Sequence, residues 1–414
     1  MSTKIGVGII GTGRRGYELA VCMAKLRSQI DLEVRALNNR TFVRTQETQQ
    51  SLKALYGESG SVPSIKLHGC YADLIADPNV ELIMILTPNY AHRDPTVKAL
   101  QSGKKVYLDK PLAHNLDDSL AICREQKRTN NPIIMSFTRR YEKPWIQLQD
   151  LIRKGIIGTV RMILTRDIIP YHVYFHTWHR RMDWSGGPLA GKMSHIFDVC
   201  NWYTQDTPAR ISAFGGQSVF KPDPHAPECC SQCDRDCPYR VDKKAAKHRQ
   251  DEMIDSGVSR FAEREIIKRH DNCVWLPGAD IDDHGVINVE YTQGVKASLS
   301  WAVFGPDSED QETFEIVGDK GRIRLIRHGG VIDIVTDYGK RHEVMDERKD
   351  DFSSSHFGAD DAFVIELDQF CKGGTPRATS KEGLLAARMT EAALRSMRAD
   401  GQLVRMEEIE DVRS

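Results

Sequence analysis

No stretch of this 414-residue chain approaches the ~18 consecutive apolar residues of a membrane-spanning helix. The opening residues, MSTKIGVGII, reach a glycine-rich turn too soon to form a secretory apolar core, so a cytoplasmic protein without a membrane partner is expected. An excess of either charge is also missing: 57 Lys and Arg stand against 58 Asp and Glu, for a formal net charge of −1. Without a basic surplus, no nucleic-acid partner is expected. Internal repeats and low-complexity linkers are absent, which argues against solenoids and tethered arrays. Ten cysteines in so long a chain are too sparse for a disulfide scaffold, and in a reducing compartment they read as free thiols or metal ligands. At ~100–200 residues per domain, the length predicts two domains, or three.

The clearest positive signal lies near the N-terminus. Lys4 to Ile10, KIGVGII, suits a buried parallel strand and runs into GTGRRG, with Gly11, Gly13 and Gly16 at G-x-G-x-x-G spacing. The apolar residues of YELAVCMAKL then recur with helical period. Strand, turn and helix make a dinucleotide fingerprint: Gly11 permits the turn, Gly13 admits the pyrophosphate to the backbone, and Gly16 lets helix and strand pack closely. Thr12 and Arg14 belong to the same cofactor-binding turn.

A second strand, LEVRAL, ends in Asn38, Asn39 and Arg40. A carboxylate here would bind the ribose hydroxyls and repel a 2′-phosphate. That carboxylate is missing, so NAD and NADP both stay open, with Asn39 and Arg40 as the discriminating residues. Further strand and helix units predict a doubly wound parallel sheet over residues 1–140, with ligands at the carboxyl ends of its strands. Thr87, Pro88, Asn89 and His92 mark one strand end, Asp109, Lys110 and Pro111 the next, and Arg140 closes the last. All are candidate cofactor contacts. Lys110 at such an end can reach the nicotinamide.

Residues 141–414 change character. RMILTRDII, ARISAFGG, GVINVEYTQGVKASLSWAV, TFEIVGDKGRIRLIR and GVIDIVTDYGKRHEV alternate with period two and are punctuated by TQG, GDKG and DYGK turns. They predict a second sheet, followed by helices near 360–371 and 381–398. Read as one straight helix, GPLAGKMSHIFD places Gly191, His195, Asp198 and Trp202 on a common face, with Lys192 on its flank. That face is either core or chemistry. In HVYFHTWHRR just before it, Tyr174 or Trp178 can stack on a sugar ring and Arg180 or Arg181 can bind hydroxyls; an ordinary loop is the alternative.

Between about 218 and 282 the strand pattern gives way to a polar insertion containing ECCSQCDRDCPY and, later, DNCVW. Cys230, Cys233, Cys237 and Cys273 can make a tetrahedral structural zinc site, with Cys229 as the alternative to Cys230; reduced thiols in a loop are the other reading. The basic run at 243–249 reads as a solvated helix face.

The glycine turn, ILTPNYAH, SGKKVYLDKPLA, FTRRYEKP, KGIIGTV, the GG-to-HIFD stretch and HFGADDAFVIELDQF occur in an order that resembles the Gfo/Idh/MocA oxidoreductases. The resemblance covers nearly the whole chain and implies an N-terminal Rossmann domain followed by an open, predominantly antiparallel sheet with helices on one face. It also implies a nicotinamide-dependent oxidoreductase for a small sugar, sugar derivative or cyclic polyol, assembled as a homodimer or homotetramer. In the family the histidine matching His195 handles the substrate hydroxyl proton, the lysine matching Lys110 binds the reacting oxygen, and Tyr141 and His356 match pocket-lining positions. Some relatives carry a charge at the place of Lys192, and some carry a similar cysteine-rich insertion.

Two departures stand out. DKP replaces the usual EKP, and Gly191 occupies a position where many family dehydrogenases have an aspartate. Three readings of Gly191 follow: Lys110 and His195 suffice; the enzyme cleaves glycosides by oxidation, elimination and reduction; or the protein binds cofactor and ligand without efficient turnover.

Overall fold

The computed structural model describes residues 4–58, 60–241, 271–346 and 358–410. His356 and the basic run at 243–249 lie outside the described residues. The chain divides into two compact units, Met1–Tyr141 with Gly358–Leu384, and Glu142–Phe357 with Leu385–Ser414. Gly358–Leu384, which sequence reading placed with 141–414, thus clusters with the N-terminal residues.

In the first unit, β1 (Ile5–Ile10), β2 (Leu32–Asn38), β3 (Lys66–His68), β4 (Leu82–Ile85), β5 (Lys105–Leu108) and β6 (Ile133–Met135) form an all-parallel sheet in the order β3-β2-β1-β4-β5-β6. Strands such as LIMI are buried throughout, as expected when helices cover both faces. The order reverses at β1, the usual place for a ligand crevice. The returning helix Ala359–Cys371 adds Phe363, Val364, Leu367 and Phe370 to the core built by Val7, Leu19 and Val34. Phe363 packs against the rings of Tyr107 and Tyr141 at 5.1 and 5.4 Å. Each such fully buried side chain is worth roughly 1.5–3 kcal/mol, and no local sequence feature ties the two segments together.

In the second unit, β7 (Val160–Ile168), β8 (Pro208–Gly216), β9 (His284–Tyr291), β10 (Lys296–Ala302), β11 (Glu312–Gly318), β12 (Gly321–Ile326), β13 (Val331–Thr336), β14 (Arg341–Asp346) and β15 (Val404–Arg405) form one sheet. Its order is β14-β13-β12-β11-β7-β10-β9-β8-β15. Among the described residues of this sheet only β7 and β10 pair in parallel. Alternation along β7 buries Ile163, Thr165 and Asp167 and exposes Met162, Leu164 and Arg166. The helices Lys143–Arg153 and Ser194–Thr204 lie over the buried face, with the Trp145 ring edge-on to Phe314 at 5.2 Å. Rossmann sheet and mostly antiparallel sheet are the architecture expected from the sequence.

Candidate functional site

The glycine turn has the shape its spacing predicts. Gly11 has φ +100°, and a Cβ there would stand 2.5 Å from the Leu86 carbonyl oxygen. At Gly16 a Cβ would stand 2.1 Å from the Gly11 carbonyl oxygen. Around the Cβ position of Gly13 nothing lies within 4 Å. Two of the three glycines therefore let the protein pack on itself, while the third leaves open space.

Gly13 is the N-cap of the helix Arg14–Lys25, with no side-chain cap and no acidic residue in its first turn. The helix thus presents uncompensated amide donors and its positive dipole end at that space. These residues fit the pyrophosphate of a dinucleotide.

Sheet register aligns the other candidates of this unit. Ile10 pairs with Asn38 and Ile85, and Ile85 with Leu108, so the residues following β1, β2, β4 and β5 emerge at one edge. Asn38, however, donates to the His68 carbonyl. Asn39 donates to Thr12 Oγ1 at 3.1 Å, and the Arg40 guanidinium to Tyr90 Oη at 3.2 Å. Thr87 Oγ1 donates to the Ala91 carbonyl across the short turn Asn89–Ala91, which follows Pro88.

His92 is buried, and its ring nitrogens lie 2.9 Å from the carbonyl oxygens of Pro111 and Thr87, bracing two strand ends together. Burial lowers its pKa, against the opposing pull of Asp109 and these carbonyls. Asp109 accepts from the Tyr107 hydroxyl and the Lys110 amide. Lys110 itself is partly exposed and joined to Pro111 by a cis peptide.

Arg140, expected at the cofactor, and Tyr141, expected to line the substrate pocket, both engage Arg377. Arg140 donates to the Arg377 carbonyl and Arg377 returns a bond to the Arg140 carbonyl. Tyr141 is buried, donates to Glu366 at 2.7 Å and carries Arg377 over its ring. Glu366 and Arg377 lie more than 220 residues away in sequence, so no local signal announces them.

In the second unit the expected straight helix through 187–198 is interrupted. Gly186 and Gly187 both have positive φ, Leu189–Met193 forms a π-helical turn, and an α-helix starts only at Ser194. The wider turn breaks the uniform helical period on which a common face for Gly191, His195 and Asp198 rests. A Cβ on Gly191 would stand 3.0 Å from the Tyr174 hydroxyl, so Tyr174 fills the place beside the backbone that a larger residue at 191 would enter. Tyr174 is buried, stacked on His179 at 4.8 Å, and its pKa is raised by burial. His195 and Asp198 are both buried.

Lys192 forms an ion pair with Glu312. Glu312 also accepts from Arg327 at 2.5 Å, and Arg327 forks onto both oxygens of Glu142 at 2.8 and 2.9 Å. Burial alone would lower the Arg327 pKa, but Glu142 and Glu312 hold it well above its usual value. Glu142, Lys192, Glu312 and Arg327 form a charge-balanced buried quartet that spacing could not reveal. Trp178 stacks on His179 at 3.9 Å. Arg180 is buried and donates to the Leu276 carbonyl, and burial lowers its pKa to about 10.

In the insertion, Cys230, Cys233, Cys237 and Cys273 line a single cavity, whereas Cys229 faces Ser231 at 3.2 Å. All ten cysteines are free thiols, and among the described residues no group of three or more His, Cys, Asp or Glu stands in ligand geometry for a metal.

The first unit's sheet and glycine turn, with the large second sheet, define a two-unit protein built on a Rossmann-type dinucleotide-binding fold. The chain belongs to the Gfo/Idh/MocA family: residues 5–137 match the oxidoreductase family's NAD-binding Rossmann fold and residues 149–405 its C-terminal alpha/beta domain. It is 28% identical over 211 residues to the inositol 2-dehydrogenase/D-chiro-inositol 3-dehydrogenase of Lactiplantibacillus plantarum, covering 50% of this chain and 55% of that one. The chain spans between about half and two thirds of the length of the first curated relatives it matches.

A solved levoglucosan dehydrogenase, in complex with NADH and levoglucosan, superposes with a TM-score of 0.73 at 15% identity, covering 98% of this chain and 100% of that one. An aldose-aldose oxidoreductase from Caulobacter crescentus gives 0.67 at 18% identity, covering 97% and 99%. Among the described residues no helix is long and apolar enough to cross a membrane.

Proposed function

We propose that this protein is an NAD-dependent dehydrogenase acting on a secondary alcohol of a sugar, sugar derivative or cyclic polyol. The observation that carries the cofactor half is the open space at Gly13 before an uncapped helix N-terminus. The polyol half is supported by the names of the inositol and levoglucosan dehydrogenases that the chain resembles. NAD is preferred over NADP because Arg40 is engaged by Tyr90 and no second basic residue follows it immediately in sequence.

The nicotinamide supplies the hydride acceptor. Lys110, at the carboxyl end of β5, stabilises negative charge developing on the reacting oxygen, and His195 takes its proton near neutral pH. Lys192 is assigned to scaffold rather than substrate, since its charge is balanced by Glu312.

The test is the near-ultraviolet absorbance of the full-length protein mixed with NAD or NADP and a panel of polyols, sugars and aryl glycosides. Growth of reduced cofactor in proportion to substrate is expected. Gly191 in place of a carboxylate is the one feature that favours redox-neutral glycoside cleavage, and aglycone release without cofactor reduction would establish that reading instead. Cofactor binding with no turnover of any substrate would point to a binding protein.

A further inference from the structure

We infer that Cys230, Cys233, Cys237 and Cys273 hold one structural zinc ion, and that Cys229 takes no part. Four thiols from two separate segments surround one cavity of about 20 Å³, room for a single water-sized body. Sequence spacing favours Cys230 with Cys229 as the alternative, and the fold sets the two apart. An antiparallel bridge pairs Cys229 with Asn272, and the adjoining bonds from the Cys230 amide to the Asp271 carbonyl and from the Cys273 amide to the Glu228 carbonyl draw the two segments together. Cys230 is left facing the cavity and Cys229 facing Ser231.

Backbone amides are turned toward three of the four sulfurs. The Arg235 amide donates to Cys233 Sγ at 3.4 Å, and the amides of Val241 and Trp275 face the sulfurs of Cys230 and Cys273. Amide donors of this kind orient metal-bound sulfur and spread its charge. Arg235 and Arg240 line the same cavity and offset the two negative charges left when four thiolates bind a divalent ion.

The four thiols line the cavity without converging on one point, so binding the ion requires their side chains to turn inward. His176 stands 4.0 Å from Cys230 Sγ, but both of its nitrogens are turned to the carbonyls of Asn272 and Tyr239, so it supports the site rather than ligating. Four thiolates closing on one ion leave no open coordination position, so the site is structural.

Its place in the fold gives it a task. The segment after Cys273 holds Arg180 through the Leu276 carbonyl, and Asn272 donates to the His176 carbonyl. The ion therefore anchors His176 to Arg180, next to Tyr174, which sits against Gly191.

The experiment is elemental analysis of the full-length protein, purified without a metal-affinity step, with zinc release by a mercurial thiol reagent followed by a chromophoric chelator. One zinc per chain, released as four thiols react, is expected. Cys229→Ser should retain the full zinc content, and Cys233→Ser and Cys237→Ser should lose it. Zinc-free protein reloaded with cobalt should show the absorption of a tetrahedral thiolate site, and Cys233→Ser should not. If the cysteine variants fail to fold, release from the native protein and the Cys229→Ser result still decide. Less than about a tenth of an equivalent of zinc, disulfides among these four residues, iron with acid-labile sulfide, or equal zinc loss in Cys229→Ser would each overturn the inference. None of these readouts depends on which substrate the enzyme takes.

Discussion

At the scale of single residues, the proposal divides chemistry from scaffold. Lys110→Ala and His195→Ala are each expected to lower kcat/KM by about 10²–10⁴-fold, the range for removing a charge-stabilising donor or an acid/base group. Steady-state kinetics on a responsive polyol checks this, with NADH fluorescence showing that His195→Ala still binds cofactor. Unchanged turnover in both variants would sink the assignment.

Gly191 permits a second test. Alanine in a helical segment normally gains ~1 kcal/mol over glycine, but here its Cβ would press on the Tyr174 hydroxyl at 3.0 Å, while the nearest ring carbons stand back at 3.6 Å. Gly191→Ala is therefore expected to be neutral or destabilising by about 1 kcal/mol in the native background and stabilising in Tyr174→Phe. Paired denaturant titrations measure that reversal. The Gly191 anomaly was legible in the sequence; the residue that fills its place was not, because Tyr174 arrives from a different turn.

At the scale of elements, the glycine turn separates folding from binding. Gly16→Ala drives a Cβ into backbone at 2.1 Å and should cost more than about 2 kcal/mol, lowering the melting temperature whether or not cofactor is present. Gly13→Ala meets no protein atom and keeps an ordinary φ of −71°, so the melting temperature of the cofactor-free protein should not change. Its Kd for NADH should rise about 10-fold or more, because the added methyl stands where the pyrophosphate approaches the helix. Calorimetry and fluorescence titration read the two quantities separately. If Gly13→Ala binds NADH as the native protein does, the cofactor is not held at this turn.

Much of this element was readable locally, since a strand, three glycines and an amphipathic helix interact over a dozen residues. The helix around His195 was less so. Gly186 and Gly187 take positive φ just before it and Leu189–Met193 forms a π-helical turn, whereas periodicity alone assumes a uniform 3.6 residues per turn.

At the scale of the whole molecule, the first unit is discontinuous in sequence. A polypeptide of residues 1–141 would lack Phe363, Val364, Leu367 and Phe370 from its core, together with the Glu366 partner of Tyr141. Such a polypeptide is expected to show no cooperative thermal transition by circular dichroism, and co-expression with residues 358–384 should restore one. A sharp native-like melt from residues 1–141 alone would show that the returning helix is dispensable.

The sequence by itself determined the succession of strands and helices, the dinucleotide turn, the family, and the residue types available for chemistry. These depend on contacts between near neighbours, on period and on spacing. Only the tertiary structure decided that Tyr141 is sealed by Glu366 and Arg377, that Lys192 is neutralised within a quartet reaching Glu142 and Arg327, and that Cys230 shares a cavity with the other three thiols while Cys229 faces Ser231. The physical reason is the same in each case: whether a charge, a ring or a thiol is left available depends on the partner packed against it, and those partners come from segments far apart along the chain.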